Sequence, residues 1–277
     1  MSVIGFRRRS ARRLVGVFGL SLAATVVVSA CAGASRTPRT IIITLPPAVP
    51  TIAGASGPID TTAGTTFTSF TITDAAPDGK WKVTFKKPIV AGLTDDVTSK
   101  LNDAITSQVT GYVSAFTGRT DFPTVASGAA PSQLEGDFAI ALNSRTVVSL
   151  RFTQLVTLSG EERPTGTPGS LNFDLAAGQT IAFADLFRDP PAAADTLATS
   201  VHKTLFTALG TELTWDGKAT SLDFFAKAWA VTADGLEFTW PQGQIASTAA
   251  GMPSALVPWS DLKAVLKPGT SVAGLVH

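Results

Sequence analysis

The sequence is short of the residues from which most reactive centres are built. It has one cysteine, Cys31, in 277 residues, which excludes an intramolecular disulfide framework and any cysteine-rich zinc site. Its two histidines, His202 and His277, are too few for a multi-histidine metal centre. Charged residues make up only 16% of the chain, yet 44% are hydrophobic, so wholesale disorder is excluded. A positive footprint is missing as well. The formal charge of +1 hides a split, because Arg7, Arg8, Arg9, Arg12 and Arg13 lie in an N-terminal stretch that holds no acid. Setting those five aside leaves 17 of the 22 basic side chains against 21 acids, a balance that argues against nucleic acid as the main partner. The length allows one large domain or two small ones.

What is present begins with an address. The arginine run is followed by an apolar stretch from Leu14 to Val28 and then by Ser29-Ala30-Cys31. Basic residues stay on the cytoplasmic side while the apolar segment enters the bilayer, which fixes the orientation. A stretch of fifteen residues is shorter than the roughly 20 a spanning helix needs, and Gly16 and Gly19 weaken a helix interior, so a cleaved signal peptide is expected over residues 1–30. Val28-Ser29-Ala30-Cys31 resembles the lipobox of bacterial lipoproteins. The resemblance implies cleavage between Ala30 and Cys31, a diacylglyceryl group on the Cys31 thiol and an acylated (palmitate-type) new amine. Two acyl chains at about 0.8 kcal/mol per buried methylene hold a protein stably, whereas one is marginal. The expected location is the extracytoplasmic face of the cell membrane.

From residue 31 to residue 64 the chain is rich in Ala, Thr, Gly, Ser and Pro and has little to bury, so it reads as a tether. Within it, Ile41-Ile42-Ile43 is either a short docking strand or a loose apolar patch near the membrane. Past residue 65 the pattern is that of a folded body. Trp81, Val83 and Phe85 alternate with Lys80, Lys82, Thr84 and Lys86, as in a half-buried strand. Val97, Leu101, Ile105, Val109 and Val113 recur every fourth residue, which predicts a helix from Leu93 to Gly118 with Thr94 as its cap. Alternating strands follow around Phe138–Leu142 and Val148–Leu158, then a loop over Gly160–Gly169 and a strand through Leu171, Phe173 and Leu175. A second helix is expected after Pro190-Pro191 with Leu197, Val201, Leu205 and Leu209 as its stripe, then a hairpin around Ala233-Asp234-Gly235 and a short helix over Asp261–Leu266 capped by Ser260. The fold class is α+β, with antiparallel sheets, two main packed helices and a short C-terminal helix, divided into subdomains at 65–160 and 161–277.

The second subdomain resembles a known family. Ser170-Leu171-Asn172-Phe173-Asp174-Leu175, Gly178-Gln179-Thr180-Ile181 and Ala184-Asp185-Leu186-Phe187 look like its strand, turn and D-L-F signature. Leu236-Glu237-Phe238 and Val257-Pro258-Trp259-Ser260-Asp261-Leu262 look like its closing hairpin and terminal helix. The family is the RsiV-like domain, found in the lysozyme-sensing ectodomain of an anti-sigma factor, beside peptidoglycan deacetylase modules and in secreted immunogenic proteins of mycobacteria. The resemblance covers about residues 165–267 and implies an envelope location and a lysozyme-like partner as one option. It departs at Thr165-Gly166-Thr167-Pro168-Gly169, where the family often carries Gly-Gly-Ala-His, so no role resting on that histidine transfers. Heavy use of Ala, Gly and Thr points to a high-GC actinobacterial source.

Catalytic chemistry finds few candidates. The Gly-x-Ser-x-Gly nucleophile elbow does not occur, since Gly54-Ala55-Ser56-Gly57 has the wrong spacing. A serine hydrolase would need His202 or His277 as base, the first beside a helix stripe and the second at the chain end. The pairs Asp95-Asp96 and Glu161-Glu162 suit a helix N-terminus and a loop tip. Lys80, Lys82, Lys86 and Lys87 read either as contacts to an anionic envelope polymer or lipid headgroups, or as the guard of an edge strand. Of the five tryptophans, Trp215 in Thr214-Trp215-Asp216-Gly217 is the candidate contact aromatic. The expectation is therefore a lipid-anchored envelope protein without catalytic residues, cofactor or metal, binding a wall component or an extracellular protein. A weak carboxylesterase or other wall-active hydrolase is the alternative.

Overall fold

The computed structural model describes residues 65–219 and 221–276. The signal-like segment, Ala30, Cys31, the tether with Ile41-Ile42-Ile43, and His277 lie outside the described residues.

Among the described residues the first sheet has six strands in sequence order: β1 (Thr66–Ala75), β2 (Trp81–Ala91), β3 (Ser132–Asn143), β4 (Val147–Thr157), β5 (Thr165–Asp174) and the two-residue β6 (Gln179–Thr180). All neighbours are antiparallel except β2 and β3, which pair in parallel over Trp81–Phe85 and Ser132–Gly136. A parallel pair needs a crossover, and helix α1 (Asp95–Thr117) supplies it. Alternation along single strands, the feature that suggested antiparallel pairing throughout, is the same in a half-covered parallel pair.

Helix α1 lays Leu101, Ile105, Val109 and Phe116 onto one face of this sheet, against Val83, Phe85, Leu134, Leu150, Phe152 and Phe173. Each such side chain, fully withdrawn from water, contributes about 1.5–3 kcal/mol. Thr94 stands at the cap position in extended backbone, but its side chain makes no capping hydrogen bond; Asp95 and Asp96 in the first turn favour the positive helix end instead. Gly136 makes the parallel crossing possible, because a Cβ there would lie 2.0 Å from the Phe85 ring. Beyond Phe85, β2 has left β3, and Asn102 of α1 takes over as its neighbour. The Asn102 Oδ1 accepts the Val90 N–H (2.9 Å) and its Nδ2 donates to the Val90 carbonyl (2.8 Å).

The opposite face of the sheet carries the second layer. Helix α2 (Pro190–Leu209) starts at Asp189, whose Oδ1 accepts the Ala192 N–H (3.1 Å), with prolines at the two first positions, where a missing N–H costs nothing. Its stripe of Leu197, Val201 and Leu205 packs on a three-stranded antiparallel sheet, β7 (Trp229–Val231), β8 (Gly235–Thr239) and β9 (Ser254–Pro258). Val147 of β4 belongs to this second core while its neighbours Val148 and Leu150 belong to the first. A bulge between Ile140 and Leu142 turns Leu142 into the second core as well.

Side chains stitch the two sheets together. Strand β7 pairs with β8 through alternate residues, as in the Thr239 N–H to Ala228 carbonyl and Thr232 N–H to Gly235 carbonyl bonds (both 2.9 Å), so Trp229 and Val231 turn their main-chain groups towards β5. There Asn172 acts as the missing strand. Its Nδ2 donates to the Trp229 carbonyl (2.8 Å), its Oδ1 accepts the Val231 N–H (3.0 Å) and the Ser149 hydroxyl (2.7 Å), and the Ser170 hydroxyl accepts the Trp229 N–H (3.1 Å). Arg151 of β4 reaches both carboxylate oxygens of Glu237 on β8 at 2.7 Å.

Several boundaries differ from expectation. The loop expected over Gly160–Gly169 ends at Pro164, because β5 begins at Thr165 and pairs with β4 from there. The short helix α3 is Trp259–Leu262, starting two residues and ending four residues before the expected Asp261–Leu266, so Ser260 lies inside it and Pro258 precedes it. The lysine-bearing strand β2 is not an edge, because β1 covers its other side. Among the described residues no helix is long and apolar enough to cross a membrane.

Candidate functional site

The expected contact aromatic, Trp215, lies in the segment that leaves α2 and is half-buried rather than fully exposed. The turn after it is held by local chemistry. The Trp215 indole N–H donates to the Lys218 carbonyl (2.8 Å), and the Asp216 Oδ1 accepts the Lys218 N–H (3.1 Å). The hydrogen bonds and nearby charge of Lys218 lower the Asp216 carboxyl below its usual value. Gly217, at φ +81°, lets this turn close on the helix, since a Cβ would lie 2.7 Å from the His202 ring.

Rings run from here in both directions. Towards the core, Trp215 stacks on Phe224 (centroids 4.9 Å, 26°), which meets the buried Phe225 and Trp240. Towards solvent, Trp215 meets His202 edge-on (5.8 Å, 69°), and His202 stacks with Phe206 one turn along α2 (5.9 Å, 18°). Phe206 is 59% exposed, one of three large hydrophobic side chains so placed among the described residues. The result is an aromatic ledge whose inner end is anchored in the core and whose outer end faces water.

Sequence reasoning found Trp215 and noted His202 but missed Phe206 and Phe224. Phe206 had a legible signal: it sits directly after Leu205, off the Leu197/Val201/Leu205 stripe, so a helix with that stripe inward must turn it outward. Phe224 had none, because no periodic element surrounds it. Four of the five tryptophans fill the roles given to them: Trp229, Trp240 and Trp259 are buried and Trp81 is half-buried.

The other candidates are dispersed. His202 makes ring contacts with Phe206 and Trp215, while nearby Ser200 donates instead to Asp261 (2.5 Å). Asp96 pairs with Lys100 (2.7 Å), and Glu161 accepts the Leu158 N–H (3.2 Å) in the β4–β5 loop. Two lysines of the strip pair with exposed carboxylates, Lys86 with Asp137 (2.8 Å) and Lys80 with Asp78 (2.9 Å), and Lys87 donates to the Thr106 hydroxyl (3.1 Å). Among the described residues no three His, Cys, Asp or Glu side chains converge as metal ligands. A cleft of about 280 Å³ lined by Arg163, Pro164, Thr165, Gln242, Thr248 and Ala249 holds neither a carboxylate nor a histidine.

Comparison with known proteins bears on the fold. None of the curated proteins matches the chain. A crystal structure of a DUF3298 family member from Bacteroides fragilis is similar with a TM-score of 0.53 at 13% identity, covering 77% of this chain and 97% of its own. A DUF3298 family protein from Pseudomonas aeruginosa PAO1 is similar with a TM-score of 0.51 at 12% identity, covering 74% and 94%. Such identities speak for shared architecture alone. Residues 184–260, the stretch from the D-L-F turn through α2 and the second sheet to the start of α3, match the family described as "Protein of unknown function (DUF3298)", so the chain carries a match to that domain within a body built like proteins of that family.

Proposed function

We propose that this chain is a lipid-anchored envelope protein whose RsiV-like body is a non-catalytic binding module for a wall component or an extracellular protein. The observation that carries the binding role is the ledge, with Phe206 exposed on His202 and backed by Trp215. An exposed ring flanked by His202, which Trp215 meets in turn, offers a flat apolar face to a sugar ring or to a side chain of a protein. The lipobox-like Val28-Ser29-Ala30-Cys31 and the tether support the location, and the D-L-F and closing-hairpin residues support the finer family assignment.

Covering the exposed part of Phe206 is worth about 1–2 kcal/mol, so Phe206→Ala weakens binding roughly 5–30-fold. The assay is co-sedimentation with purified insoluble cell wall, run beside titration with lysozyme. The wild-type chain binds one of the two, Phe206→Ala weakens that binding, and unfolding temperature is unchanged. Binding to neither, or binding indifferent to Phe206→Ala, refutes the role of the ledge. Separately, Cys31→Ser leaves the chain unprocessed or outside the membrane fraction; a mature, membrane-bound Cys31→Ser protein removes the lipid anchor.

A further inference from the structure

Strand β1 lies at the margin of the first sheet. Its ten residues pair with β2 in an unbroken register, Thr66 with Ala91 through to Ala75 with Lys82, and among the described residues no strand lies on its other side. Sheet margins are ordinarily protected by lysine, proline or a bulge. β1, with the sequence TFTSFTITDA, has none of these and a single charge, Asp74. It also presents Phe70, 56% exposed, on the same face as Ile89, 40% exposed, of β2. A margin so unguarded and partly apolar is a surface for another strand.

Its side-chain order selects the partner. Antiparallel pairing of β1 with β1 of a second copy, about a two-fold axis through Thr71, sets Phe70 opposite Ile72 on one face and Thr71 opposite Thr71 on the other. In the same register Ser69 faces Thr73, Thr68 faces Asp74 and Phe67 faces Ala75. Every pair joins like with like in polarity, and no two charges of one sign meet. Moving the axis to Phe70 puts Ile72 opposite Thr68 and breaks this match. We propose that β1 is a homotypic docking edge, joining two copies into one continuous sheet about Thr71.

The test uses the full chain carrying Cys31→Ser, which leaves no native thiol. Directly opposed residues bring their Cα atoms to about 4.5–5.5 Å, within disulfide range. Thr71→Cys in this background yields a covalent dimer on mild oxidation, and so does Ser69→Cys with Thr73→Cys, whereas Thr73→Cys alone does not. Without cysteines, sedimentation velocity gives a doubled mass that Thr71→Lys, setting two like charges opposite each other, halves without lowering the unfolding temperature. A chain that stays monomeric at high concentration, or crosslinks equally from every β1 position, overturns the proposal. So does a monomer whose β1 amides exchange slowly, because the chain's own N-terminal residues or another segment then cover the edge.

Discussion

Asn172 offers the sharpest test of how the two layers are joined. It is only 4% exposed, and its amide serves three other buried groups: the Trp229 carbonyl, the Val231 N–H and the Ser149 hydroxyl. Asn172→Ala leaves all three without that partner. A buried polar group stripped of its partner costs about 1–3 kcal/mol. Three such groups exceed what a single substitution usually does, and water entering the vacated space recovers part, so about 3–5 kcal/mol is expected. For a body of this size that corresponds to a fall of roughly 6–20 °C in unfolding temperature. The assay is guanidinium unfolding followed by tryptophan fluorescence, with Asn172→Asp as a second arm. Asp keeps the acceptor facing Val231 but loses the donor to Trp229 and places a charge in the interior. Burial raises its folded pKa above the unfolded value of about 3.9, so protonation favours the folded variant. The Asp variant therefore recovers stability as pH falls and loses it as pH rises through the folded pKa. Asn172→Ala costing under about 1 kcal/mol, or an Asp penalty independent of pH, refutes the account of Asn172 as a substitute strand.

Asn143 is the counter-case: its Oδ1 is buried without a hydrogen-bond partner, so Asn143→Leu is neutral or stabilising by about 1 kcal/mol in the same unfolding assay, the opposite sign to position 172. Burial raises Tyr112, the only tyrosine, above 10.0, although the hydrogen bond from Gln108 (2.7 Å) pulls the other way. Absorbance at 295 nm therefore titrates one phenol with a midpoint above that of the denatured chain, and the corresponding stability, full below pH 10, is lost as pH rises through the folded value. Gly136→Ala forces a methyl into the Phe85 ring and costs about 1–3 kcal/mol, part of which Phe85→Leu restores; additive effects of the two substitutions would show that they do not share the clash.

The body's elements were legible wherever one face meets a core. α1 and α2 show four-residue stripes, and β2 and β4 alternate, so period and type followed from the residues themselves. β1 and β9 were not legible. Thr66-Phe67-Thr68-Ser69-Phe70 carries strand-forming residues, but its alternation is blurred because β1 is exposed on much of both faces. β9 is five residues long, and its burial comes from a neighbour distant in sequence. The parallel pairing of β2 with β3 had no local signal either, since partner direction is decided by the crossover. At the site, Trp215 was found because a tryptophan in an Asp-Gly turn is out of place in a core. The ledge as a whole was not, because it joins α2 to a loop segment some twenty residues further on.

The boundary at residue 160 has a consequence for folding. It falls in the loop of the β4–β5 hairpin, whose strands pair over ten positions on either side of it. Val147 and Leu142, from the first stretch, complete the core of α2 and β7–β9, while Leu171 and Phe173, from the second, complete the core of α1. Neither stretch alone can close its own apolar core, and separation would also leave Arg151 and Glu237, half-buried on opposite sides, without each other. The two subdomains should therefore unfold as one cooperative unit. Calorimetry of the full chain shows a single transition for residues 65–276, with calorimetric and van't Hoff enthalpies equal, and a chain of residues 161–277 expressed alone lacks the near-UV signal of ordered tryptophans. A fragment 161–277 with native-like near-UV ellipticity and its own sharp transition would mean that the second core is complete without β3 and β4, which the positions of Leu142 and Val147 forbid.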